Sequence, residues 1–158
     1  MIGVVGGGQL AMLLIEAGKK RDIDVVVQTA AKTDPAAKKT NQVILHDPTN
    51  PVGTKLLAEK TSLITFENEW VDISSLLSLE NNGVSFVPRL QSIKPLINKI
   101  TQRELLNSLD IPCPDWMAIP LKKSSEIDLP ADWGFPLMAK AAKGGYDGKG
   151  TKIIKNLK

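Results

Sequence analysis

Short apolar runs alternate with helical patterns from residue 2 to residue 88, and this alternation limits the fold more than any other feature of the chain. The first run, Ile2 to Val5, leads through three glycines into a helical pattern. Apolar residues recur in that pattern at spacings of three and four: Leu10, Leu13, Leu14 and Ala17. Strand composition returns at residues 25–27, 43–45, 63–66 and 84–87. The alternation predicts an α/β domain with an open, mostly parallel sheet and helices on both faces.

A change of pattern near residue 90 predicts a domain boundary. The alternation stops around Arg89 to Pro95, and a longer helix is predicted from Leu96 to Leu109. Strand composition then predicts a strand at residues 116–119 and two antiparallel strands on either side of a glycine-rich loop. We therefore predict two domains, residues 1–90 and residues 91–158.

Composition places the chain among compact proteins of a reducing compartment. Of its 158 residues 42% are hydrophobic and only 4% aromatic, so the core must be mainly aliphatic. Cys113 is the single cysteine, which excludes an internal disulfide and suits the cytoplasm. The apolar stretch from Leu10 to Ile15 is too short for a signal peptide or a membrane span. We expect a cytoplasmic protein without a membrane partner.

Positive charge is concentrated at the end of the sequence. Residues 140–158 contain six lysines and a single acid, Asp147. Such a patch suits either nucleic acid or a small polyphosphate. Binding of single strands usually uses several aromatic side chains, and this stretch has only Tyr146. The pattern favours a small anion over nucleic acid.

The run from Lys140 to Gly150 reads Lys-Ala-Ala-Lys-Gly-Gly-Tyr-Asp-Gly-Lys-Gly. Glycine brings backbone N–H groups close to an anion, and lysine adds point charge against phosphate oxygens. A phosphate lid is one interpretation, and a solvated hairpin tip is the other. A Walker P-loop is excluded because Lys149 is followed by Gly150 instead of Ser or Thr, and strand composition comes next.

The first glycine turn partly fits a dinucleotide fingerprint. Gly6-x-Gly8-x-x-Ala11 has the spacing that places a helix N-terminus against an anion. The fingerprint also needs an acid at the end of the next strand, where this sequence has Gln28. A nicotinamide cofactor is disfavoured, and both an anion site and simple strand-to-helix packing stay open.

Two acids come directly after the fourth predicted strand. Glu67 and Glu69 stand at its carboxyl end, where open parallel sheets bind ligands, and alternation predicts both side chains on one face. They could accept hydrogen bonds from a substrate amine or hydroxyl, or be solvated loop charges. His46 has no cysteine or second histidine nearby, so no metal site is predicted there.

These motifs together resemble the 5-(carboxyamino)imidazole ribonucleotide synthases, which are ATP-grasp enzymes. The resemblance is carried by Gly-Gly-Gly-Gln-Leu at the first turn, by Lys99 with Thr101-Gln102, and by Lys140 with Gly-Gly-Tyr-Asp-Gly-Lys-Gly. It covers essentially the whole chain. It implies a pre-ATP-grasp domain followed by the incomplete first part of an ATP-grasp domain. The family forms carboxyphosphate from ATP and bicarbonate and uses it to carboxylate aminoimidazole ribonucleotide in purine synthesis.

The resemblance also implies residue roles. Contacts to ATP would come from the two lysines and the loop: Lys99, Lys140, Gly144, Gly145, Tyr146, Asp147, Gly148, Lys149 and Gly150. Contacts to the aminoimidazole nucleotide would come from Gly8, Gln9, Tyr146 and one of Glu67 and Glu69. Asp147 would orient or deprotonate the reacting amine beside Tyr146. The sequence departs from the family at Ala11-Met12, where many members have Gly-Arg, and at Gln28, where many have an acid.

Further expectations come from the order of motifs in the family. Acidic Mg²⁺ ligands and the adenine pocket come after the glycine lid, so we expect the Mg²⁺ ligands beyond residue 158 and an amino-terminal fragment that is inactive alone. The family is often dimeric, and a homodimer is an expectation that rests on the resemblance only. The alternatives are a non-catalytic nucleotide-binding or regulatory domain and a basic RNA-binding module.

Overall fold

The computed structural model describes residues 1–119, 127–145 and 148–156. The chain forms two compact units, Met1–Ile97 and Asn98–Lys158. The first unit is α/β, as the alternation of strands and helices predicts.

A four-stranded parallel sheet forms the centre of the first unit. Its strand order is β3-β2-β1-β4, and every pair of neighbours runs parallel. The middle strands are buried because helices cover both faces: all five residues of β2 are buried. The strands are β1 (Ile2–Val5), β2 (Val25–Thr29), β3 (Val43–Leu45) and β4 (Leu63–Phe66).

Helices pack on both faces of this sheet, which confirms the predicted architecture. On one face α1 and a 3-10 turn cover Val4, Val25 and Val27. On the other face three helices cover Val5, Val26, Ile44 and Ile64. The helices are α1 (Gln9–Lys19), α2 (Pro51–Ala58), α3 (Ile73–Asn81) and α4 (Leu90–Ile93), with 3-10 turns at Ala36–Lys38 and Lys94–Ile97.

The predicted fifth strand at residues 84–87 is wrong in extent. Only a parallel bridge forms, between Ile64 and Phe86. The Ile64 N–H donates to the Ser85 carbonyl at 2.8 Å, and the Val87 N–H donates to the Ile64 carbonyl at 2.9 Å. Pro88 comes next and has no N–H to extend the ladder. The segment therefore lines the β4 edge without becoming a full strand.

The predicted helix from Leu96 to Leu109 is interrupted. A helix α5 spans Lys99–Ser108, and Asn98 precedes it in an extended conformation. The Asn98 side-chain oxygen accepts a hydrogen bond from the Ile100 N–H at 2.8 Å, which starts a new helix at Lys99. Leu90 and Ile93 are buried in the core of the first unit, so α4 belongs to that unit.

The second unit contains an antiparallel hairpin around the glycine-rich loop, as predicted. Strands β5 (Leu137–Lys140) and β6 (Thr151–Ile154) pair with Lys140 opposite Thr151. The predicted strand at residues 116–119 is wrong, since these residues have no regular structure and pair with no strand in the described part of the chain.

Gln28 is fully buried at the end of β2, where a dinucleotide-binding protein carries an acid. Its Nε2 donates to the carbonyls of Asp47 at 2.7 Å and Asn50 at 3.0 Å. Its Oε1 accepts a hydrogen bond from the Thr54 hydroxyl at 2.8 Å. Gln28 therefore ties β2 to the turn that starts α2, and its side chain is not available to a ribose.

We expect Gln28→Leu to lower the free energy of unfolding by about 2 kcal/mol, because the buried Thr54 hydroxyl and two part-buried carbonyls lose their partner. Urea denaturation followed by circular dichroism would measure the change. Gln42→Leu is the matched control, since Gln42 is exposed and should change stability by about 0.5 kcal/mol or less. Equal effects of the two substitutions would contradict a stabilising role for the Gln28 network.

Candidate functional site

The first glycine turn holds an anion that belongs to the protein itself. Glu67 Oε2 accepts a hydrogen bond from the Gly8 N–H at 2.7 Å. Glu67 Oε1 accepts from the N–H groups of Leu10 at 3.1 Å and Ala11 at 3.4 Å. A helix N-terminus carries unpaired N–H groups and a partial positive charge, and the carboxylate satisfies both. The N–H groups of this turn therefore bind a carboxylate of the chain itself.

The glycines of this turn are needed because Glu67 and Thr29 come so close. A Cβ on Gly8 would lie 2.4 Å from Glu67 Oε1, and a Cβ on Gly7 would lie 1.8 Å from Thr29 Oγ1. Gly6 has a φ of +133°, which side-chain-bearing residues rarely adopt. Tight packing and anion binding are therefore the same feature here, and the sequence alone could not show this.

Glu69 differs from Glu67 in its environment. The chain bends after β4, from Glu67 to Glu69, so the strand alternation that predicted a shared face does not continue there. Glu69 is half-buried, and its carboxylate has no hydrogen bond or salt bridge within the described residues. Gln9, the first residue of α1, is exposed. Glu69 and Gln9 thus keep side chains available to a ligand, whereas the Glu67 carboxylate is already used.

In the second unit, a hydrogen bond joins the start of α5 to the base of the glycine-rich loop. The Lys99 N–H donates to the Ala142 carbonyl at 2.8 Å. The Ala141 N–H donates to the Gly150 carbonyl at 2.7 Å, which closes the loop directly after β5. Lys99 and Lys140, which sequence reasoning grouped only by resemblance, are therefore both placed at the base of this loop.

The loop glycines take conformations that other residues avoid. Gly144, Gly148 and Gly150 have φ values of +75°, +77° and +74°. A Cβ on Gly145 would lie 2.9 Å from the Lys149 carbonyl oxygen. The predicted need for glycine backbone freedom is confirmed at these positions. Two residues with predicted catalytic roles, Tyr146 and Asp147, lie outside the described residues.

One face of the hairpin combines Lys140 with an exposed apolar pair. Met138 and Lys140 are two residues apart on β5 and share a face, and Ile153 lies opposite Met138 on β6. Met138 is 53% and Ile153 56% exposed. Sequence reasoning missed both residues, although the alternation in Leu-Met-Ala-Lys indicates which side chains accompany Lys140.

No cluster of three or more His, Cys, Asp or Glu side chains suited to a metal ion occurs within residues 1–119, 127–145 and 148–156. Over the same residues, no helix has the length and apolar character needed to cross a membrane.

Comparisons with known proteins match both units. Residues 1–96 match the ribonucleotide synthetase preATP-grasp domain family, and residues 104–158 match the ATP-grasp domain family. The chain therefore belongs to the ATP-grasp proteins that begin with a ribonucleotide synthetase preATP-grasp domain. Within that class it corresponds to the amino-terminal portion of the N5-carboxyaminoimidazole ribonucleotide synthases.

The relatives are considerably longer than this chain. The N5-carboxyaminoimidazole ribonucleotide synthase of Synechococcus elongatus is 41% identical over 156 residues, which cover 99% of this chain and 39% of that protein. The Aspergillus clavatus enzyme complexed with ATP is 27% identical, with a TM-score of 0.82 over 99% of this chain and 41% of its own. A second Aspergillus clavatus structure, in complex with ADP and 5-aminoimidazole ribonucleotide, is 26% identical with a TM-score of 0.78, over 99% and 40% of the two chains.

We expect Glu67→Ala to lower the free energy of unfolding by about 1–2 kcal/mol, because three N–H groups at the start of α1 lose a charged acceptor. Glu69→Ala is the matched control and should change it by about 0.5 kcal/mol or less. Thermal and urea unfolding of both variants would measure the difference. The assignment of Glu67 to helix capping is wrong if the two variants are equally stable.

Proposed function

We propose that this chain is the amino-terminal portion of an enzyme that carboxylates 5-aminoimidazole ribonucleotide with ATP and bicarbonate, in the synthesis of purines. The observation that carries the proposal is the hydrogen bond between the Lys99 N–H and the Ala142 carbonyl, which brings two lysines to the base of a glycine-rich loop. The loop and the lysines match a need to hold phosphates. The relatives are named for the product, N5-carboxyaminoimidazole ribonucleotide, and one of them has been solved with ADP and 5-aminoimidazole ribonucleotide bound.

The proposed reaction has two steps. A bicarbonate oxygen attacks the γ-phosphorus of ATP, and ADP leaves, which gives carboxyphosphate. The exocyclic amine then attacks the carboxyl carbon, the C–O bond to phosphate breaks, and the amine loses a proton. Carboxyphosphate is sensitive to water, so a loop that closes over it protects the intermediate.

ATP would bind to the loop base and the adjoining face of the hairpin. Lys99 and Lys140 would contact its phosphates, and the backbone N–H groups of Gly144, Gly145, Gly148, Lys149 and Gly150 would line the loop around them. Met138 and Ile153 are exposed on the same face as Lys140, which suits the apolar surface of the adenine ring. The positive charge of the two lysines and the exposed apolar side chains of Met138 and Ile153 together fit a nucleoside triphosphate better than inorganic phosphate.

The aminoimidazole nucleotide would contact the first unit through Glu69, Gln9 and the turn at Gly8. We assign this role to Glu69 because the Glu67 carboxylate already accepts hydrogen bonds from three backbone N–H groups. Tyr146 would approach the aminoimidazole, and Asp147 would orient the amine or accept its proton. Both roles rest on the family motif in the loop.

Three further parts of the proposal rest on the family. Mg²⁺ would accompany ATP, with its acidic ligands expected beyond residue 158. A cytoplasmic homodimer is the expected setting. The 158-residue chain alone is expected to release no ADP from ATP in response to aminoimidazole ribonucleotide, since it spans 39% of the length of its Synechococcus elongatus relative. Release of ADP by the purified chain would contradict this part.

The alternative predicted from the sequence, a non-catalytic nucleotide-binding or regulatory domain, would use the first glycine turn as its site. The Glu67 carboxylate argues against that role, because it fills the turn and would repel a phosphate. The second unit is the better supported place for ATP.

Activity is best tested in a chimera of this chain followed by the part of the Synechococcus elongatus relative that lies beyond the matched region. We expect Lys140→Met to lower kcat/KM for ATP about tenfold or more, since a hydrogen bond to a charged group contributes about 1.5–3 kcal/mol. Lys152→Met is the matched control, because Lys152 lies on the opposite face of the same hairpin. Coupled measurement of ADP release would compare them. Equal losses would contradict the assignment of Lys140.

The substrate assignment makes a second prediction for the same chimera. Glu69→Gln should raise the KM for aminoimidazole ribonucleotide about tenfold, because this substrate loses a charged hydrogen-bond acceptor. The KM for ATP should stay unchanged, because ATP makes no contact with Glu69 in the proposed arrangement. Initial rates at varied concentrations of each substrate would separate the two constants. An unchanged KM for the aminoimidazole nucleotide would remove Glu69 from the site.

A further inference from the structure

Helix α1 presents two apolar faces, and only one of them is covered. Ala11, Ile15 and Gly18 are buried against the sheet. A second row of apolar residues, here called the leucine stripe, lies about 120° around the helix at 100° per residue. Its members are exposed: Leu10 at 58%, Leu13 at 48%, Leu14 at 41%, and Ala17. Single exposed leucines are ordinary, but a continuous apolar row over two turns indicates a surface that another element covers.

The charged groups near the stripe lie beside it or at its carboxyl end. Glu16 is the single charged residue between Gln9 and Gly18, and its carboxylate pairs with Lys39 Nζ at 3.2 Å. Lys19 Nζ donates to the Lys39 carbonyl at 2.6 Å, so it too is drawn to the side of residue 39. Arg21 lies at the carboxyl end of the stripe, where its Nη1 donates to the Ala17 carbonyl at 3.2 Å. The part of the stripe from Leu10 to Leu14 has no charged side chain, so an apolar partner can cover it without desolvating a charge.

We infer that the leucine stripe is the docking surface for polypeptide that corresponds to the carboxy-terminal portion of the relatives. The chain spans 39% of the Synechococcus elongatus enzyme and 41% of the Aspergillus clavatus enzyme, so roughly three fifths of each relative lies outside the match. That portion must pack on surfaces of the kind this chain presents. The stripe begins at Leu10, directly after the glycine turn, where the docked portion would adjoin the predicted substrate contacts.

A second copy of this chain fits the stripe less well. Stable interfaces between separate proteins bury about 1,200–2,000 Å² in total. Three half-exposed leucines and an alanine supply only a few hundred Å² on each copy. A segment joined covalently to the chain needs less contact area, because it meets the stripe at a high effective concentration.

The test compares this chain with the chimera defined above. In a Cys113→Ser background, Leu13→Cys introduces one thiol on the stripe. We expect a thiol reagent to label it at least tenfold more slowly in the chimera than in the 158-residue chain. Val52→Cys is the matched control, because Val52 is 56% exposed on α2, and its labelling rate should be the same in both proteins.

A second variant gives an independent readout. Leu13→Lys should lower the Tm of the chimera by several degrees and leave the Tm of the 158-residue chain unchanged, while Val52→Lys changes neither. Both readouts report packing, so a catalytically inactive chimera leaves the inference standing.

Any of four results would overturn the inference. Equal labelling rates at residue 13 in both proteins, or a Tm of the chimera that Leu13→Lys does not change, would show that the added polypeptide leaves the stripe open. Slow labelling that depends on concentration in the 158-residue chain, with a dimer in sedimentation velocity, would assign the stripe to a second copy. Slow labelling in a monomeric 158-residue chain would show that another part of this same chain covers the leucine stripe.

Discussion

The hydrogen bonds from the start of α1 to the Glu67 carboxylate are the interaction on which the first unit depends. They join residues that are 56 to 59 positions apart and connect the β1–α1 turn to the end of β4. Because β1 and β4 are already neighbours in the sheet, the carboxylate fixes the position of α1 relative to both strands. It also constrains the local backbone: a Cβ on Gly6 would lie 2.4 Å from Glu67 Cβ, and a Cβ on Gly8 would displace the Glu67 carboxylate. The chain beyond β4 leaves from this anchored point and reaches Glu69 within two residues.

The two glycine-rich segments of the chain use the same backbone chemistry for different purposes. The first turn directs N–H groups at an internal carboxylate and is thereby complete. The second is a loop closed at its base by the bond from the Ala141 N–H to the Gly150 carbonyl, with Lys99 and Lys140 placed beside that base. The difference lies in the surroundings of each segment: an acid ends the neighbouring strand in the first case, and lysines surround the second. In the first segment the anion is the protein's own carboxylate, whereas the lysines beside the second segment suit the phosphate binding proposed above.

Sequence reasoning was strongest where periodicity was long and weakest where a distant side chain decided the outcome. The parallel strands β1 to β4 and the β5–β6 hairpin could be predicted because turn residues bound each strand and β-branched residues recur in all of them except β5. The helix predicted from Leu96 to Leu109 failed because its apolar spacing continues across Asn98, whose side chain caps a new helix. Residues 84–87 have strand composition but lie at an edge before a proline.

The candidate site, too, could be predicted from the sequence only in part. The lysines and glycines could be selected from their spacing, but the separate roles of Glu67 and Glu69 could not, because both come after one strand and only the fold shows which one reaches α1. Met138 and Ile153 were missed because their apolar character suggested a core, whereas the fold leaves them exposed. The exposure of one side of α1 could not be predicted for the opposite reason. Leu10, Leu13 and Leu14 have the spacing of a buried face, but Ala11, Ile15 and Gly18 are the residues that pack against the sheet. Gly18 is needed there because a Cβ would lie 2.9 Å from Val25 Cγ2.

The inward orientation of Gln28 bears on whether the first unit can bind a dinucleotide. Strand order and the first turn resemble those of dinucleotide-binding proteins, and nicotinamide dinucleotides are abundant metabolites. Here the amide of Gln28 is held by Asp47, Asn50 and Thr54, so no acceptor faces a ribose. The turn that would hold a pyrophosphate already carries a negative charge, which repels a second one. The domain thus retains the strand order of a dinucleotide-binding fold. The two positions that contact a dinucleotide in that fold, the end of β2 and the first turn, are taken up here by hydrogen bonds within the protein.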